Sequence, residues 1–414
     1  MSRKPALAVV GATGAAGAVM LQILSQHADV WGEIRLLSLP NSHPGTAGLP
    51  QALGSVGAGE TSVLAVRGEE TEVRVLSEDA LAGIDVAVFL APEEAAAHWV
   101  PVAAARGAVV VDASAAFRAD PDVPLVVPEL NPDAVRAPYR PRGIVASPGC
   151  TTLALIVAVG ALHAEFGLTE LVVSAYQAAS AAGQDGVAAL RGQLAAVAGT
   201  ELGAAPGDVR RALGDERNGP FPAPLALNVV PWCGTLQEDG WSSEELRIRA
   251  ETRKVLELPG LPVTATCVRV PVVTGHSVAV HARFERPVTV ERAHQVLATA
   301  PGVVLFDDPG AGDFPTPSDV VGTDPTWVGR VRRALDDERA LTFFVCGDNL
   351  RKGAALNTAQ IAELVAAELK REWQARCHPP GSGLVPPARE QGKHDRAGGP
   401  GRAASQGRAE ELSP

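Results

Sequence analysis

A cysteine at the start of a predicted helix is the strongest candidate for nucleophilic chemistry in this chain. Residues 147–152 read Ser-Pro-Gly-Cys-Thr-Thr, and an apolar helical run, Leu153–Leu162, follows them. A thiol at a helix N-terminus lies near the positive end of the helix dipole, which favours the reactive thiolate. Pro148 and Gly149 shape a sharp entry that can expose the sulfur. Cys150 is therefore a candidate nucleophile, and a small buried cysteine is the alternative interpretation.

An arginine within an apolar strand and a histidine after a glycine form a second constellation, in residues 267–277. An unpaired guanidinium is costly among apolar residues, so Arg269 must meet an anion. Gly275 bends the chain and brings His276 to the start of the next strand, and imidazole transfers protons near neutral pH. The anion is either a structural carboxylate or the carboxylate of a ligand, and the residues alone leave both interpretations open.

Arg118 ends the segment Asp112–Arg118, which directly follows a predicted strand. Ligands of open α/β sheets bind at the carboxyl ends of the strands. A guanidinium at that edge can hold a phosphate through two parallel hydrogen bonds. Arg118 is therefore a candidate phosphate ligand, with a surface salt bridge as the alternative.

A glycine-rich turn between the first strand and the first helix indicates a dinucleotide site. Gly11, Gly14 and Gly17 allow a tight turn and let the backbone approach a pyrophosphate at the helix N-terminus. A glycine turn without a ligand is the alternative, but the strand–turn–helix context favours dinucleotide binding. No Asp or Glu stands near Ser38, where the second strand ends and a ribose 2′-hydroxyl would be held. That absence favours NADP over NAD.

Alternating short strands and helices in residues 1–130 must position these groups, and the alternation predicts a parallel, doubly wound sheet. The predicted strands are Ala6–Val10, Ile34–Leu37, Val73–Val75, Val86–Leu90 and Val109–Val111, and the predicted helices include Ala16–Gln26 and Glu93–Ala105.

The pattern changes from about Gly143, where strands become longer and alternate, which predicts an antiparallel or mixed sheet. Examples are Val263–Val270 and Ser277–Phe284. An Ala/Gly-rich helical region, 186–213, interrupts this part. Apolar residues at helical spacing in Asn357–Leu369 predict a last amphipathic helix that docks back on the body. Residues 378–414 are rich in Pro, Gly, Ser and Arg, and we expect this tail to be disordered.

Composition excludes several functional classes. The 414 residues, 46% hydrophobic and 20% charged, predict a soluble globular protein of two domains. A net charge of −11 argues against a nucleic-acid surface, but not against a local basic pocket for an anionic substrate. No apolar run approaches the roughly 20 residues of a membrane helix, and no signal peptide is evident. Five widely spaced cysteines give neither a disulfide framework nor a metal-ligand pair, so we expect a cytoplasmic protein without a metal.

These pieces, in this order, resemble the aspartate-semialdehyde dehydrogenase family. The resemblance covers about residues 5–372 and is most specific in the runs 263–277 and 348–357. It continues through the segments 124–131, 175–183, 221–231, 251–254, 315–319 and 328–330. It implies an α/β protein with a Rossmann-type, doubly wound N-terminal domain completed by a C-terminal helix, and an α+β catalytic and dimerisation domain with a mixed sheet. The expected boundaries are 1–149 with 350–375 for the NADP-binding domain and 150–349 for the second domain.

The resemblance also implies a role for individual residues. Cys150 would be the nucleophile, His276 its acid/base partner, and Gln177 a residue that holds the substrate at the thioester centre. The implied substrate ligands are Arg269 for the α-carboxylate, Glu244 for the amino group, and Arg118 and Arg247 for the phosphate. The implied cofactor is NADP, with contacts from Gly11, Thr13, Gly14, Ala15, Gly17, Ser38, Ser180, Gly183 and Asn349.

The implied reaction is the NADP-dependent reduction of L-aspartyl-4-phosphate to L-aspartate 4-semialdehyde through a cysteine thioester. It belongs to lysine, threonine, methionine and diaminopimelate biosynthesis. The implied assembly is a homodimer or a dimer of dimers, with small-molecule substrates and neither nucleic acid nor membrane as a partner.

The chain departs from the family at five places, one of which is Arg247, where the family has a Lys in its phosphate site. Ser147 and Gly149 each replace an Asn, and the lost amide at 149 would weaken stabilisation of a tetrahedral oxyanion. Residues 39–43 lack the Arg-Ser pair that reads the 2′-phosphate, and residues 90–93 read Leu-Ala-Pro-Glu in place of Ser-Ala-Gly-Gly. Two alternatives therefore stay open: an N-acetyl-glutamyl-phosphate reductase, which shares Pro-Gly-Cys at the nucleophile, and a degenerate homologue that binds nucleotide without turnover.

Overall fold

Short apolar runs form the first sheet of the computed structural model, which describes residues 3–27, 30–39, 62–203, 205, 207–214 and 219–377. Its strands are β1 (Leu7–Val10), β2 (Ile34–Ser38), β3 (Ser62–Val66), β4 (Glu69–Val75), β5 (Val86–Phe89), β6 (Val109–Asp112) and β7 (Ile144–Ala146). The order is β3-β4-β2-β1-β5-β6-β7, and only the β3–β4 pair is antiparallel. Strands β1, β5 and β6 are buried throughout, as is typical of strands covered on both faces. The predicted doubly wound sheet is confirmed.

The second sheet is mixed, as predicted. Its strands are β8 (Leu168–Gln177), β9 (Val263–Arg269), β10 (His276–Phe284), β11 (Val303–Leu305), β12 (Thr326–Arg333) and β13 (Ala340–Gly347). The order is β11-β12-β13-β10-β8-β9, where β8–β9 and β11–β12 are parallel and the other neighbours antiparallel. Alternation of apolar and polar residues gives β8 and β9 one buried face each.

The helices cover both sheets. They are α1 (Ala15–Gln26), α2 (Glu93–Ala105), α3 (Cys150–Phe166), α4 (Gly183–Val197), α5 (Asp208–Leu213), α6 (Ser243–Val255), α7 (Val290–Thr299), α8 (Pro317–Val320) and α9 (Leu356–Cys377). A π-turn, Arg351–Ala355, leads into α9. The region 186–213, predicted as one helical stretch, contains most of α4 and all of α5, because the chain leaves the helical conformation after Val197. None of these helices within the described ranges is long and apolar enough to cross a membrane.

Helix α3 is apolar on all sides because it lies between the two sheets. Leu155 and Leu162 pack with the second sheet, whereas Leu153 and Ile156 pack in a cluster with the first. A helix that is hydrophobic all round must be buried. Its N-terminus consequently lies where the two halves of the chain meet.

The last helix packs on the first sheet. Ile361 and Val365 share a buried cluster with Leu7 of β1 and Leu36 of β2, so the predicted docking of a C-terminal helix is confirmed. A compact unit spans residues 1–373. In the remainder, 374–414, only residues 374–377 are described, and the predicted disorder of 378–414 lies outside the described residues.

Candidate active site

The structure brings Cys150 and His276 into contact. Cys150 is the first residue of α3, four residues after β7 ends at Ala146, and Gly149 precedes it as the N-cap. Gly275, at φ +97°, turns the chain so that His276 begins β10. The Sγ atom of Cys150 lies 3.3 Å from Nε2 of His276. A thiol and an imidazole at this separation form the arrangement that cysteine nucleophiles use.

Burial determines the ionisation of both groups. Burial and then the carboxylate of Glu244 raise the pKa of Cys150 to about 11, although the guanidinium groups of Arg118 and Arg269 oppose that shift. Burial and then Arg269 lower the pKa of His276 to about 3. Desolvation therefore opposes the thiolate that the helix dipole is expected to favour. At neutral pH the pair consists of a thiol and an uncharged imidazole.

The backbone of one residue, Ala178, positions both the histidine and the arginine. The N–H of Ala178, just after β8, donates to Nδ1 of His276 at 3.2 Å. The carbonyl oxygen of the same residue accepts from Nη1 of Arg269 at 2.7 Å. Gln177, the last residue of β8, is buried and donates through Nε2 to Oγ1 of Thr151 at 2.8 Å. The end of β8 thus holds three predicted site residues around the start of α3.

One nitrogen of Arg269, Nε, has no hydrogen-bond partner among the described residues. Arg269 is 7% exposed, and its Nε atom is buried. Its guanidinium lies 5.8 Å from the ring centroid of Phe221. Among the described residues, no carboxylate lies within ion-pair distance of it, which disfavours a structural salt bridge. An unpaired buried donor indicates that a ligand anion completes the site.

Arg118 is held by protein acceptors at all three of its nitrogens. Nε donates to the Ser147 carbonyl at 2.8 Å, Nη2 to the Ala113 carbonyl at 2.6 Å, and Nη1 to Oε1 of Glu251 at 3.1 Å. The salt bridge that was the alternative interpretation is present, but it is buried: the side chains are 14% and 4% exposed. Arg118 therefore borders the nucleophile as part of an ion pair.

Glu251 is a site residue that the sequence reasoning missed. Its Oε2 accepts from the Gly149 N–H at 2.8 Å and from Oγ1 of Thr152 at 2.6 Å, so this carboxylate anchors the start of α3. The sequence does carry a signal for it, because Glu251 is a charged residue on the same face of α6 as the apolar residues Ile248 and Val255, which are buried.

The ion pair also accounts for glycine at position 149. A Cβ atom there would lie 3.0 Å from Nη1 of Arg118 and 3.3 Å from Oε2 of Glu251. The backbone of Gly149 is ordinary, at φ −66° and ψ 154°, so the close neighbours and not the turn disfavour a side chain. The close approach of Arg118 and Glu251 therefore favours Gly at position 149, where the family has Asn.

Arg247 forms ion pairs with carboxylates on two helices, α6 and α2. Its Nη1 donates to Oε1 of Glu244 at 2.9 Å, and its Nη2 donates to Oε2 of Glu93 at 3.0 Å. Glu93 is the first residue of α2, within the 90–93 segment that departs from the family, and the sequence reasoning missed this contact. The predicted amino-group ligand, Glu244, and one predicted phosphate ligand, Arg247, are thus paired with each other.

The glycine turn after β1 has the shape that a dinucleotide requires. Gly11 has φ +86°, and a Cβ atom on it would lie 2.3 Å from the Leu90 carbonyl oxygen. A Cβ atom on Gly17 would lie 2.3 Å from the Gly11 carbonyl oxygen. Gly14 is the N-cap of α1 without a side-chain cap, so the first N–H groups of the helix face outward. The cradle fits a pyrophosphate.

Three other predicted cofactor residues lie at the glycine turn and at the end of β2. Thr13 is exposed in the glycine turn, Ala15 begins α1, and Ser38 ends β2. The segment after Leu39 that would read the 2′-phosphate, 40–43, lies outside the described residues.

Asn349 and Ser180 brace the turn that carries His276. Oδ1 of Asn349 accepts from the Gly275 N–H at 2.8 Å, and Nδ2 donates to the Ser180 hydroxyl at 2.9 Å. Gly183, also a predicted cofactor residue, has φ +71° and begins α4. A Cβ atom on Gly353, in the π-turn, would lie 3.0 Å from Cβ of Cys150, so this glycine lets the π-turn approach the nucleophile.

Comparisons with known proteins agree with this architecture. The semialdehyde dehydrogenase NAD binding domain matches residues 6–137, and the semialdehyde dehydrogenase dimerisation domain matches residues 159–352. The aspartate-semialdehyde dehydrogenase of Streptomyces akiyoshiensis is 42% identical over 368 residues, which are 87% of this chain and 98% of that protein. The enzyme of that name from Mycolicibacterium smegmatis is 42% identical over 369 residues, 88% of this chain and 99% of that protein.

A solved structure is similar over the same span. The structure of aspartate semialdehyde dehydrogenase II complexed with ASA from Vibrio cholerae has a TM-score of 0.77 and 33% identity, and the match covers 89% of this chain and 99% of that one. The fold, the gathered cysteine and histidine, and these relatives lead to one conclusion: the chain belongs to the aspartate-semialdehyde dehydrogenase family.

Proposed function

We propose that this protein catalyses the reversible, NADP-dependent reduction of L-aspartyl-4-phosphate to L-aspartate 4-semialdehyde through a thioester on Cys150. The observation that carries the proposal is the contact of 3.3 Å between Cys150 and His276, beside a buried Arg269 with an unpaired Nε. A nucleophile, a proton-handling group and an open anion site are what acyl-phosphate chemistry on an amino acid requires.

The substrate's α-carboxylate binds Arg269. A carboxylate would supply the missing acceptor for Nε and would neutralise a guanidinium that burial makes costly. Glu244 provides the counter-charge for the α-amino group, and its electrostatic effect on Cys150 supports this role. Gln177 holds the acyl group through its amide, which already lies beside the start of α3.

The phosphate binds between Arg118 and Arg247. Each has a protein carboxylate as partner, Glu251 for Arg118 and both Glu244 and Glu93 for Arg247. The buried ion pair with Glu251 holds Arg118 in place, so that its guanidinium is already oriented toward the phosphate. Arg247, which is half-buried, exchanges a carboxylate partner for phosphate oxygens.

The cofactor binds along the edge where β1 and β5 end. Gly11, Gly14 and Gly17 leave the backbone open to the pyrophosphate, and NADP is favoured over NAD by the absence of an acidic residue at Ser38. A nicotinamide bound there accepts or supplies the hydride. Ser180, Gly183 and Asn349 are further proposed cofactor contacts, and the hydrogen bonds of Asn349 with Ser180 and the Gly275 N–H keep the turn before His276 in place.

The remaining properties follow from the family. Residues 1–149 with 350–375 form the cofactor domain, and residues 150–349 form the catalytic domain. The chain carries the family's dimerisation domain, and a homodimer or dimer of dimers in the cytoplasm is the proposed assembly.

One assay tests the activity. Cofactor reduction is followed with aspartate semialdehyde, with and without phosphate, and with NADP against NAD; N-acetyl-glutamate semialdehyde serves as the competing substrate. We expect phosphate-dependent reduction of NADP from aspartate semialdehyde alone. A preference for the acetylated substrate would identify the enzyme as an N-acetyl-glutamyl-phosphate reductase, and binding of NADP without turnover would identify a degenerate homologue.

A further inference from the structure

Lys254, in the last turn of α6, donates to three backbone carbonyls. Its Nζ atom lies 2.9, 2.6 and 2.7 Å from the carbonyl oxygens of Arg118, Asp120 and Val123. An ammonium group has three N–H donors, so these bonds use all of them. Carbonyl oxygens that converge on one point repel one another unless a cation lies between them. The conformation of 118–123, between β6 and β7, therefore depends on this one side chain.

The side chain of Arg118 is held by the same helix. Glu251, three residues before Lys254 and on the same face of α6, accepts from Nη1 of Arg118 at 3.1 Å. Nε and Nη2 of Arg118 donate to the carbonyls of Ser147 and Ala113. Helix α6 consequently holds Arg118 at both ends, its carbonyl oxygen through Lys254 and its guanidinium through Glu251.

The position of Arg118 determines where its remaining donors lie. A guanidinium has five N–H groups, and three of those of Arg118 donate to protein acceptors in the described part of the chain. One N–H remains on each terminal nitrogen, and such a pair can hold a phosphate through two parallel bonds. A Cβ atom on Gly149, next to Cys150, would lie 3.0 Å from Nη1 of Arg118. The remaining donors therefore lie beside the nucleophile.

We propose that Lys254 is a positioning residue for Arg118: its ammonium fixes the backbone of 118–123 and thereby sets the guanidinium where it can bind a phosphate beside Cys150. Lys254 acts through Arg118 and not on the phosphate, because its own three donors are already used. The inference rests on the proposed function for the identity of the anion that Arg118 binds. The hold of Lys254 on Arg118 rests on their contacts alone.

Arg253 provides the matched control, because a cation near a helix C-terminus also stabilises the helix through its dipole. Arg253 lies in the same last turn of α6 and carries the same charge. Its Nε donates to the Leu261 carbonyl at 2.6 Å, in the segment before β9. Arg253→Met therefore removes a charge and a carbonyl contact from the same turn but leaves the contacts of 118–123 in place.

Steady-state kinetics of the full chain with aspartate semialdehyde, NADP and varied phosphate test the positioning role. Loss of one hydrogen bond to a charged group weakens binding by about tenfold or more, so we expect Lys254→Met to raise the KM for phosphate by that factor. kcat should change by less than about threefold, because ground-state binding of phosphate is what is lost. Arg253→Met should leave the KM for phosphate within about twofold of the unsubstituted chain. An equal rise in both variants, or no rise in Lys254→Met, would overturn the proposal.

Nitrogen NMR of the full chain labelled with 15N-arginine tests the same role without turnover. The Nε–H of Arg118 donates to the Ser147 carbonyl at 2.8 Å, and its side chain is 14% exposed, so we expect slow exchange with water. The Arg118→Lys variant identifies the resonance by its loss. Lys254→Met should shift this resonance and accelerate its exchange by about tenfold or more, whereas Arg253→Met should change neither.

The two measurements separate this inference from the proposed function. An unmoved Arg118 resonance in Lys254→Met would overturn the positioning role whether or not the enzyme has the proposed activity. A moved resonance in a protein without phosphate-dependent turnover would support the positioning of Arg118 and refute the proposed function.

Lys254→Arg keeps the test decisive if Lys254→Met does not fold. It retains the charge, but a flat guanidinium cannot donate to three carbonyls that converge on one point. We expect a native circular dichroism spectrum and a KM for phosphate raised by about fivefold or more. A KM for phosphate within about twofold of the unsubstituted chain would show that charge alone suffices, and would overturn the proposal.

Discussion

Glu251 is the residue whose replacement tests most directly how this site is held together. Its carboxylate accepts from the Gly149 N–H, from the Thr152 hydroxyl and from Arg118, at 2.8, 2.6 and 3.1 Å. The variant Glu251→Gln retains the size of the side chain and one acceptor oxygen. Its amide N–H₂ group, however, faces either a donor of Arg118 or the two donors at the start of α3.

The expected destabilisation follows from these contacts. Removing one partner of a buried ion pair costs about 3–5 kcal/mol, because the other charge remains buried. The oxygen that glutamine keeps, and the carbonyl oxygens of Ser147 and Ala113 that still accept from Arg118, reduce that loss. We therefore expect Glu251→Gln to lower the free energy of unfolding by about 2–4 kcal/mol.

Urea unfolding at pH 7 and one fixed protein concentration measures this quantity. Glu257→Gln, an exposed change just after α6, is the control with the same change of charge, and it should cost less than about 0.5 kcal/mol. The variants Arg118→Gln and Arg118→Gln with Glu251→Gln complete a double-mutant cycle, which should give a coupling above about 1 kcal/mol. A loss below about 1 kcal/mol in Glu251→Gln, or no coupling, would refute the view that this buried pair anchors the nucleophile.

Three further predictions concern the reaction itself. Cys150→Ser should abolish phosphate-dependent NADP reduction while the circular dichroism spectrum stays native, and near-native activity would exclude Cys150 as the nucleophile. Because the pKa of Cys150 is raised to about 11, the thiolate fraction grows as pH rises toward that value. The rate of alkylation by iodoacetamide should therefore increase continuously from pH 7 to 10. A rate that is already constant above about pH 7 would contradict this ionisation. Glu93→Gln should lower the KM for phosphate by up to about fivefold at unchanged kcat, since an exposed ion pair such as Glu93 with Arg247 is worth up to about 1 kcal/mol. The control Glu94→Gln, on the same helix turn, should leave the KM for phosphate unchanged. Equal effects of the two variants would show a general charge effect.

Local patterns in the sequence account for most of the fold. The predicted strand Val86–Leu90 is observed as Val86–Phe89, and the predicted helix Glu93–Ala105 has those bounds. These elements have strong periodicity and clear breaks, so their type depends little on distant residues. The antiparallel strand β3 and the division of 186–213 into α4 and α5 were not predicted, because such short segments take their structure from what they pair with and pack against.

Several site residues could also be identified by residue type and local context. Cys150 before an apolar helix, His276 after Gly275 and the glycine turn after β1 are each marked by their neighbours in the chain. Such features depend on helix ends, turns and strand ends, which a few adjacent residues specify. Glu251 is marked only by its place on the apolar face of α6, and Ala178 has no local mark, so their contacts are what reveal their roles.

The sequence by itself determined the alternation of strands and helices, the position of the nucleophile at a helix start and the presence of a histidine and an arginine able to serve it. The tertiary structure alone decided how those groups are ionised and paired. The protonation of Cys150, the ion pair of Arg118 with Glu251 and the open donor of Arg269 all arise from desolvation and from contacts between segments about a hundred residues apart. Desolvation depends on everything that surrounds a group in space, and no local pattern in the chain carries that information.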